Sequence, residues 1–62
     1  MPRAYTPENL TALAQRAAGK VRGRVVRWLR DPGNAGLLHV EAQISLLNGQ
    51  KVIIRLRTVI PG

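Results

Sequence analysis

The second half of the chain alternates between apolar and polar residues, which is the pattern of strands with one buried face. Residues 37–47 and 51–60 follow this period, and we predict a strand over each range. An Asn-Gly dipeptide at 48–49 separates them, so the pair is predicted to form an antiparallel hairpin. The residues on the predicted inner face are all aliphatic: Leu38, Val40, Ala42, Ile44, Leu46, Val52, Ile54, Leu56 and Ile60.

The register of this hairpin follows from keeping its inner face apolar. A two-residue turn would place Arg55 and Arg57 on the face that should be core. A three-residue loop at 47–49, with its glycine in the left-handed conformation of a bulge, places both arginines outside. Because a one-residue slip moves every side chain to the other face, we predict the second register. The resulting pairs are Ile44 with Val52, Ala42 with Ile54 and Val40 with Leu56 inside, and Glu41 with Arg55 and His39 with Arg57 outside.

A helix is predicted over residues 7–18, after a short arm at residues 1–5. Thr6 can accept hydrogen bonds from the free N–H groups of the first turn, and Pro7 suits the first helical position. Gly19 stands where a C-terminal cap is usual. The residues at helical spacing form one apolar stripe, the predicted contact with the sheet: Leu10, Leu13, Ala14 and Ala17.

Residues 20–30 fit both a strand and a helix. As a helix they would continue the apolar stripe, but the glycines and valines between 19 and 26 disfavour it, so we predict a strand. A bulge near Val26 and Arg27 would repair its imperfect alternation. In the unbulged strand, one face carries Val21, Gly23, Val25 and Leu29, and the other carries Arg22, Arg24, Val26, Trp28 and Arg30. Residues 31–36 are rich in turn formers, and we expect a turn there.

Together these elements predict an α+β fold of one domain over residues 1–62. The N-terminal helix packs on the apolar face of a three-stranded antiparallel β-meander, in the order αβββ. Three strands with a covering helix are about the minimum for independent stability, and the absence of cysteine removes disulfides and the usual structural zinc sites. We therefore expect a homodimer or another protein partner. A second apolar set on the outer face supports this expectation: Leu37, Leu47, Ile53 and Val59.

Basic residues outnumber acidic ones by ten to three, which gives a net charge of +7. Most of them are arginine, whose planar fork matches phosphate and stacks on bases. This balance favours a polyanionic partner, RNA or DNA, although a genome that prefers arginine codons would produce the same composition. No stretch reaches the roughly 18 apolar residues of a membrane span, and residues 1–10 lack the apolar segment of a secretory signal. We expect a cytoplasmic protein without membrane contact.

A run of basic residues without an acidic interruption extends over residues 16–30. On the predicted strand, arginines flank an exposed Trp28, which suits single-stranded nucleic acid because guanidiniums contact phosphates while the ring stacks on a base. The alternative is a solvated basic face with Trp28 buried, in which case anion binding remains and stacking does not. The predicted nucleic-acid-binding residues are Arg22, Arg24, Arg27, Trp28, Arg30, Lys51, Arg55 and Arg57.

The predicted register also brings His39 and Glu41 to the outer face beside two arginines. Such a group can in principle cleave RNA: one side chain accepts the 2′-hydroxyl proton, another protonates the leaving oxygen, and arginines stabilise charge on phosphorus. The simpler interpretation is an exposed ion pair between Glu41 and Arg55. The chain contains no phosphate-binding loop, nucleophile motif or metal-binding cluster, so we expect neither a cofactor nor a metal.

The leading hypothesis is a small nucleic-acid-binding protein that neutralises phosphates and is not an enzyme. The first alternative is a protein-interaction module, such as an inhibitor or subunit of the kind that phages and mobile elements encode, which docks through a sheet edge or an apolar face. The second alternative is a ribonuclease-like toxin that uses His39 and Glu41.

Overall fold

One helix precedes three antiparallel strands in the computed structural model, which describes residues 6–61. The elements are α1 (Pro7–Gly19), β1 (Arg24–Asp31), β2 (Asn34–Ser45) and β3 (Lys51–Val59), and the sheet order is β1-β2-β3. The predicted αβββ fold is therefore confirmed. The arm predicted at residues 1–5 lies outside the described residues. None of the described helices is long and apolar enough to cross a membrane.

The helix begins as its first residues predict and lies on the central strand. The Thr6 hydroxyl accepts a hydrogen bond from the Asn9 N–H at 3.2 Å, which caps the first turn. Leu10 and Ala14 of α1 form one buried cluster with Leu38 and Val40 of β2 and with Ile60. Because alanine is small, the helix axis can approach the sheet closely at that point. The side of the sheet that packs on α1 is therefore the protein's core.

The hairpin of β2 and β3 has the predicted register. All of the predicted cross-strand pairs are present, including Glu41 with Arg55 and His39 with Arg57. Gly49 has a φ of 86°, and the Leu46 N–H donates to the Gln50 carbonyl at 2.7 Å, which closes the three-residue loop. The ladder stops at Ser45 and not at residue 47, because Leu46 makes the hydrogen bond that closes the loop and Leu47 belongs to the loop itself.

Residues 20–23 do not form a strand as predicted, because they complete the end of the helix. The Gly23 N–H donates to the Ala18 carbonyl at 2.8 Å, and the Arg22 N–H donates to the Gly19 carbonyl at 3.1 Å. These two bonds and the left-handed Arg22, with a φ of 57°, make a Schellman motif. The last carbonyl groups of a helix require hydrogen-bond donors. Residues 20–23 supply these donors, and this outweighs the strand preference of their sequence. The strand begins only at Arg24.

The turn between β1 and β2 is shorter than the predicted range 31–36. Asp31 pairs with Asn34, so only Pro32 and Gly33 lie between the strands. The Asp31 carboxylate accepts a hydrogen bond from the Gly33 N–H at 2.8 Å. This local bond favours a tight turn and lets β2 begin already at Asn34.

A bulge at Val26 interrupts the pairing of β1 with β2. Val25 pairs with Ala42 and Arg27 with Glu41, so Val26 is the extra residue, as predicted. The following residues therefore change faces relative to the unbulged strand. Trp28 and Arg30 lie on the side of α1, while Arg27 and Leu29 lie on the side that α1 leaves uncovered. The predicted grouping of Arg22, Arg24 and Arg30 around an exposed Trp28 is consequently wrong.

Candidate nucleic-acid interface

The sheet side opposite α1, which we call the open face, carries basic residues on both outer strands. Each of these residues is exposed, and the central strand between them contributes Gln43, Glu41 and His39. The alternation of the strands and the bulge at Val26 bring the cations to this one side. The basic residues of the open face are Arg24 and Arg27 on β1 and Lys51, Arg55 and Arg57 on β3.

Glu41 lies between two arginines at the centre of the open face. Its carboxylate oxygens are each 3.7 Å from a guanidinium Nε, that of Arg27 on one side and that of Arg55 on the other. The two arginine side chains are 64% and 87% exposed, so solvent screens both ion pairs and each contributes less than about 1 kcal/mol. A guanidinium has five N–H donors, and most of them stay available to a ligand in this arrangement.

His39 and Asp31 form a pair that the sequence did not predict. The imidazole Nε2 and the carboxylate Oδ2 are 2.7 Å apart. A carboxylate only accepts hydrogen bonds, so Nε2 carries the proton and donates. This bond, followed by the one from the Gly33 N–H, lowers the pKa of Asp31 below its usual value of 3.8. The Pro-Gly turn at 32–33 does not predict this pair, because it sets Asp31 opposite Asn34; a register shift between Arg30 and Asp31 brings His39, which pairs with Leu29, close to Asp31.

A shallow depression of about 240 Å³ occupies the middle of the open face. Its polar walls come from His39 and Glu41 of the central strand and from one arginine on each outer strand, and Leu29 contributes apolar surface. The depression thus places a carboxylate, an imidazole and two guanidiniums around one space. The residues that line it are Arg27, Trp28, Leu29, His39, Val40, Glu41 and Arg55.

Three of the predicted binding residues lie away from the open face. Trp28 is half-buried against the core, and its indole N–H donates to the Thr11 hydroxyl of α1 at 3.0 Å. Arg30 lies on the same side as Trp28 and donates from Nη2 to the Ala35 carbonyl at 2.7 Å. Arg22 belongs to the turn that ends the helix. The stacking role predicted for Trp28 is therefore not available from the open face.

Between residues 6 and 61, no group of three or more His, Cys, Asp or Glu side chains could hold a metal ion. No protein-family model matches this chain, and no curated protein or solved structure is significantly similar to it. The site must therefore be interpreted from its own residues.

Proposed function

We propose that the protein binds nucleic acid through the open face and holds it by its phosphates. The observation that supports this most directly is the position of five exposed cations on one side of a sheet, against the two carboxylates of Glu41 and Asp31. Arginine forks bind phosphate oxygens with two parallel hydrogen bonds, and such contacts supply most sequence-independent affinity. A protein with this activity would act in the cytoplasm, and we propose that location with it.

The spacing of the cations suits an extended phosphate backbone. Arg55 and Arg57 are two residues apart on β3 and point to the same side, so their Cα atoms are about 6.7 Å apart. Arg27 and Arg55 lie on opposite outer strands, which separates them by about 9.5 Å across the sheet. Phosphate contacts carry no sequence information, so the proposal includes little sequence preference.

The test is fluorescence anisotropy of labelled single-stranded and duplex oligonucleotides at two salt concentrations. We expect affinity to fall steeply with salt, with a slope of about 0.7–0.9 for each phosphate contact. Arg55→Gln and Arg57→Gln should each weaken binding and reduce that slope by about one contact. The matched control is Arg16→Gln, which replaces an exposed arginine in the last turn of α1. It should leave the affinity and the salt slope unchanged. Trp28→Phe should also leave affinity unchanged, because the indole faces α1.

Absence of binding at low salt would overturn the proposal in favour of a second candidate, a protein-interaction module. That candidate is supported by apolar side chains on the same open face: Leu29 and Ile53 are each 52% exposed and Val59 is 71% exposed. Between residues 6 and 61, the outer edges of β1 and β3 also lack a strand partner. A homodimer would form through these apolar side chains or these strand edges. Light scattering after size-exclusion chromatography measures the oligomeric state directly. Ile53→Lys should then convert the dimer to a monomer.

A further inference from the structure

We propose that the open face cleaves RNA, with Glu41 as the general base and His39 as the general acid. This inference rests on the proposed binding of nucleic acid at the same site. It starts from one juxtaposition: the imidazole of His39 and the carboxylate of Glu41 line the same depression. The imidazole is hydrogen-bonded to Asp31, and the carboxylate lies between the guanidiniums of two arginines. His39, Glu41 and the two arginines are not part of the core, because their side chains lie on the side of the sheet that α1 leaves uncovered.

The two groups have a separation that fits one phosphodiester. His39 and Glu41 are two residues apart on β2, with side chains on the same side and Cα atoms about 6.7 Å apart. A phosphorus atom between them lets one group contact the attacking oxygen and the other the leaving oxygen, each within about 3 Å. Both groups belong to the central strand, so neighbouring strands hold them on either side.

The reaction is a transesterification that needs no co-reactant. The Glu41 carboxylate accepts the proton of the ribose 2′-hydroxyl while that oxygen forms a bond to phosphorus. The bond from phosphorus to the 5′-oxygen breaks, and the protonated imidazole of His39 gives its proton to that oxygen. The products are a 2′,3′-cyclic phosphate and a 5′-hydroxyl. Arg27 and Arg55 stabilise the negative charge that develops on the phosphate oxygens, because they already flank the depression.

Asp31 acts as a positioning residue in this scheme. Its hydrogen bond of 2.7 Å to Nε2 fixes the plane of the His39 ring and leaves Nδ1 as the nitrogen that can donate to the substrate. The charged neighbours of His39 are Asp31 on β1 and Arg57 on β3. Those of Glu41 are Arg27 on β1 and Arg55 on β3. The mechanism requires Glu41 as a carboxylate and His39 as a protonated imidazole, so the rate is expected to follow a bell-shaped pH profile.

The experiment incubates the purified protein with an end-labelled oligoribonucleotide and with its all-2′-deoxy and 2′-O-methyl counterparts. We expect cleavage of the ribose form only, with 2′,3′-cyclic phosphate ends, although all three oligonucleotides bind. Glu41→Gln and His39→Gln should each reduce the rate by roughly 100-fold or more. Glu41→Gln should bind RNA at least as tightly as the original protein, because it removes the negative charge from the face. Arg16→Gln is the matched control and should cleave normally.

Each outcome separates the two proposals. Binding of RNA without cleavage overturns this inference and leaves the proposed function standing, whereas no binding overturns both. Equal cleavage by the original protein and by both variants, purified in parallel, also overturns the inference, because the activity then comes from other groups. Circular dichroism confirms that the variants fold, which is expected for substitutions on an uncovered sheet face. Asp31→Asn should lower kcat with little change in KM, because the His39 ring loses the partner that orients it, and an unchanged kcat would remove its positioning role.

Discussion

The indole N–H of Trp28 donates a hydrogen bond of 3.0 Å to the Thr11 hydroxyl and so joins β1 to α1. The contact places the largest side chain of the edge strand beneath the helix and away from the open face. A buried indole N–H usually needs a hydrogen-bond partner, so Thr11 makes this position tolerable for tryptophan. The side chains on the open face are consequently mostly arginines, aliphatic residues and the pair of His39 and Asp31.

Thr11→Val should destabilise the protein by about 1 kcal/mol, because it leaves the Trp28 N–H without a partner in a half-buried place. Valine has nearly the same shape and a similar helix propensity, so the loss reports the hydrogen bond. For a chain of this size, the melting temperature should fall by roughly 4–8 °C. Thr11→Ser keeps the hydroxyl and is the control. An unchanged melting temperature in Thr11→Val would show that the hydrogen bond contributes nothing to stability.

Arg22→Gly should stabilise the protein by about 1 kcal/mol. Arg22 has a φ of 57°, a conformation that costs an L-residue roughly 1–2 kcal/mol and that glycine adopts without strain. Arg22→Ala removes the same side chain but keeps the strain, and it should therefore show no comparable gain. Thermal unfolding of the three proteins compares them directly. A gain in the alanine variant would instead point to relief of repulsion between basic residues.

Deletion of Val26 should be tolerated, whereas deletion of Leu29 should prevent stable folding. Val26 is the extra residue of the bulge, so its removal leaves Val25 and Arg27 on the faces they already occupy. Leu29 is part of the regular ladder, and its removal sends either Trp28 or the residues after it to the wrong face. Chemical denaturation of both variants tests this contrast. Loss of folding in the Val26 deletion would mean that the bulge itself is required for packing under α1.

Stability should decline in acid partly through Asp31. The pKa of its carboxyl is lowered in the folded state by hydrogen bonds from His39 and then from the Gly33 N–H. A group with a lowered folded pKa stabilises the protein above its unfolded pKa, and this contribution disappears as the pH falls through the folded value, below 3.8. Melting curves between pH 5 and pH 2 should therefore fall less steeply for Asp31→Asn. Glu8 contributes in the same sense, because hydrogen bonds from its own backbone and then from Thr6 lower its pKa.

The chain's own pattern determined the helix, the order of the strands and the register of β2 with β3. Alternation in β2 and β3 is unbroken, so only one register keeps every arginine out of the core, and the left-handed Gly49 closes the loop that this register needs. The cap at Thr6 marks the start of α1 in the same local way. These features depend on neighbours in sequence or on a single hairpin, which is why they were predictable.

Tertiary structure decided what the edge strand presents to solvent. The pattern of residues 20–30 is broken by the bulge at Val26, and such a pattern fits two assignments of inside and outside. The packing of α1 chose between them, since Trp28 gains both burial and a hydrogen bond to Thr11 under the helix. The pair of His39 and Asp31 likewise depends on a register shift in the β1–β2 ladder, between Arg30 and Asp31. Sequence spacing alone does not set these contacts, because each requires two elements to meet in space.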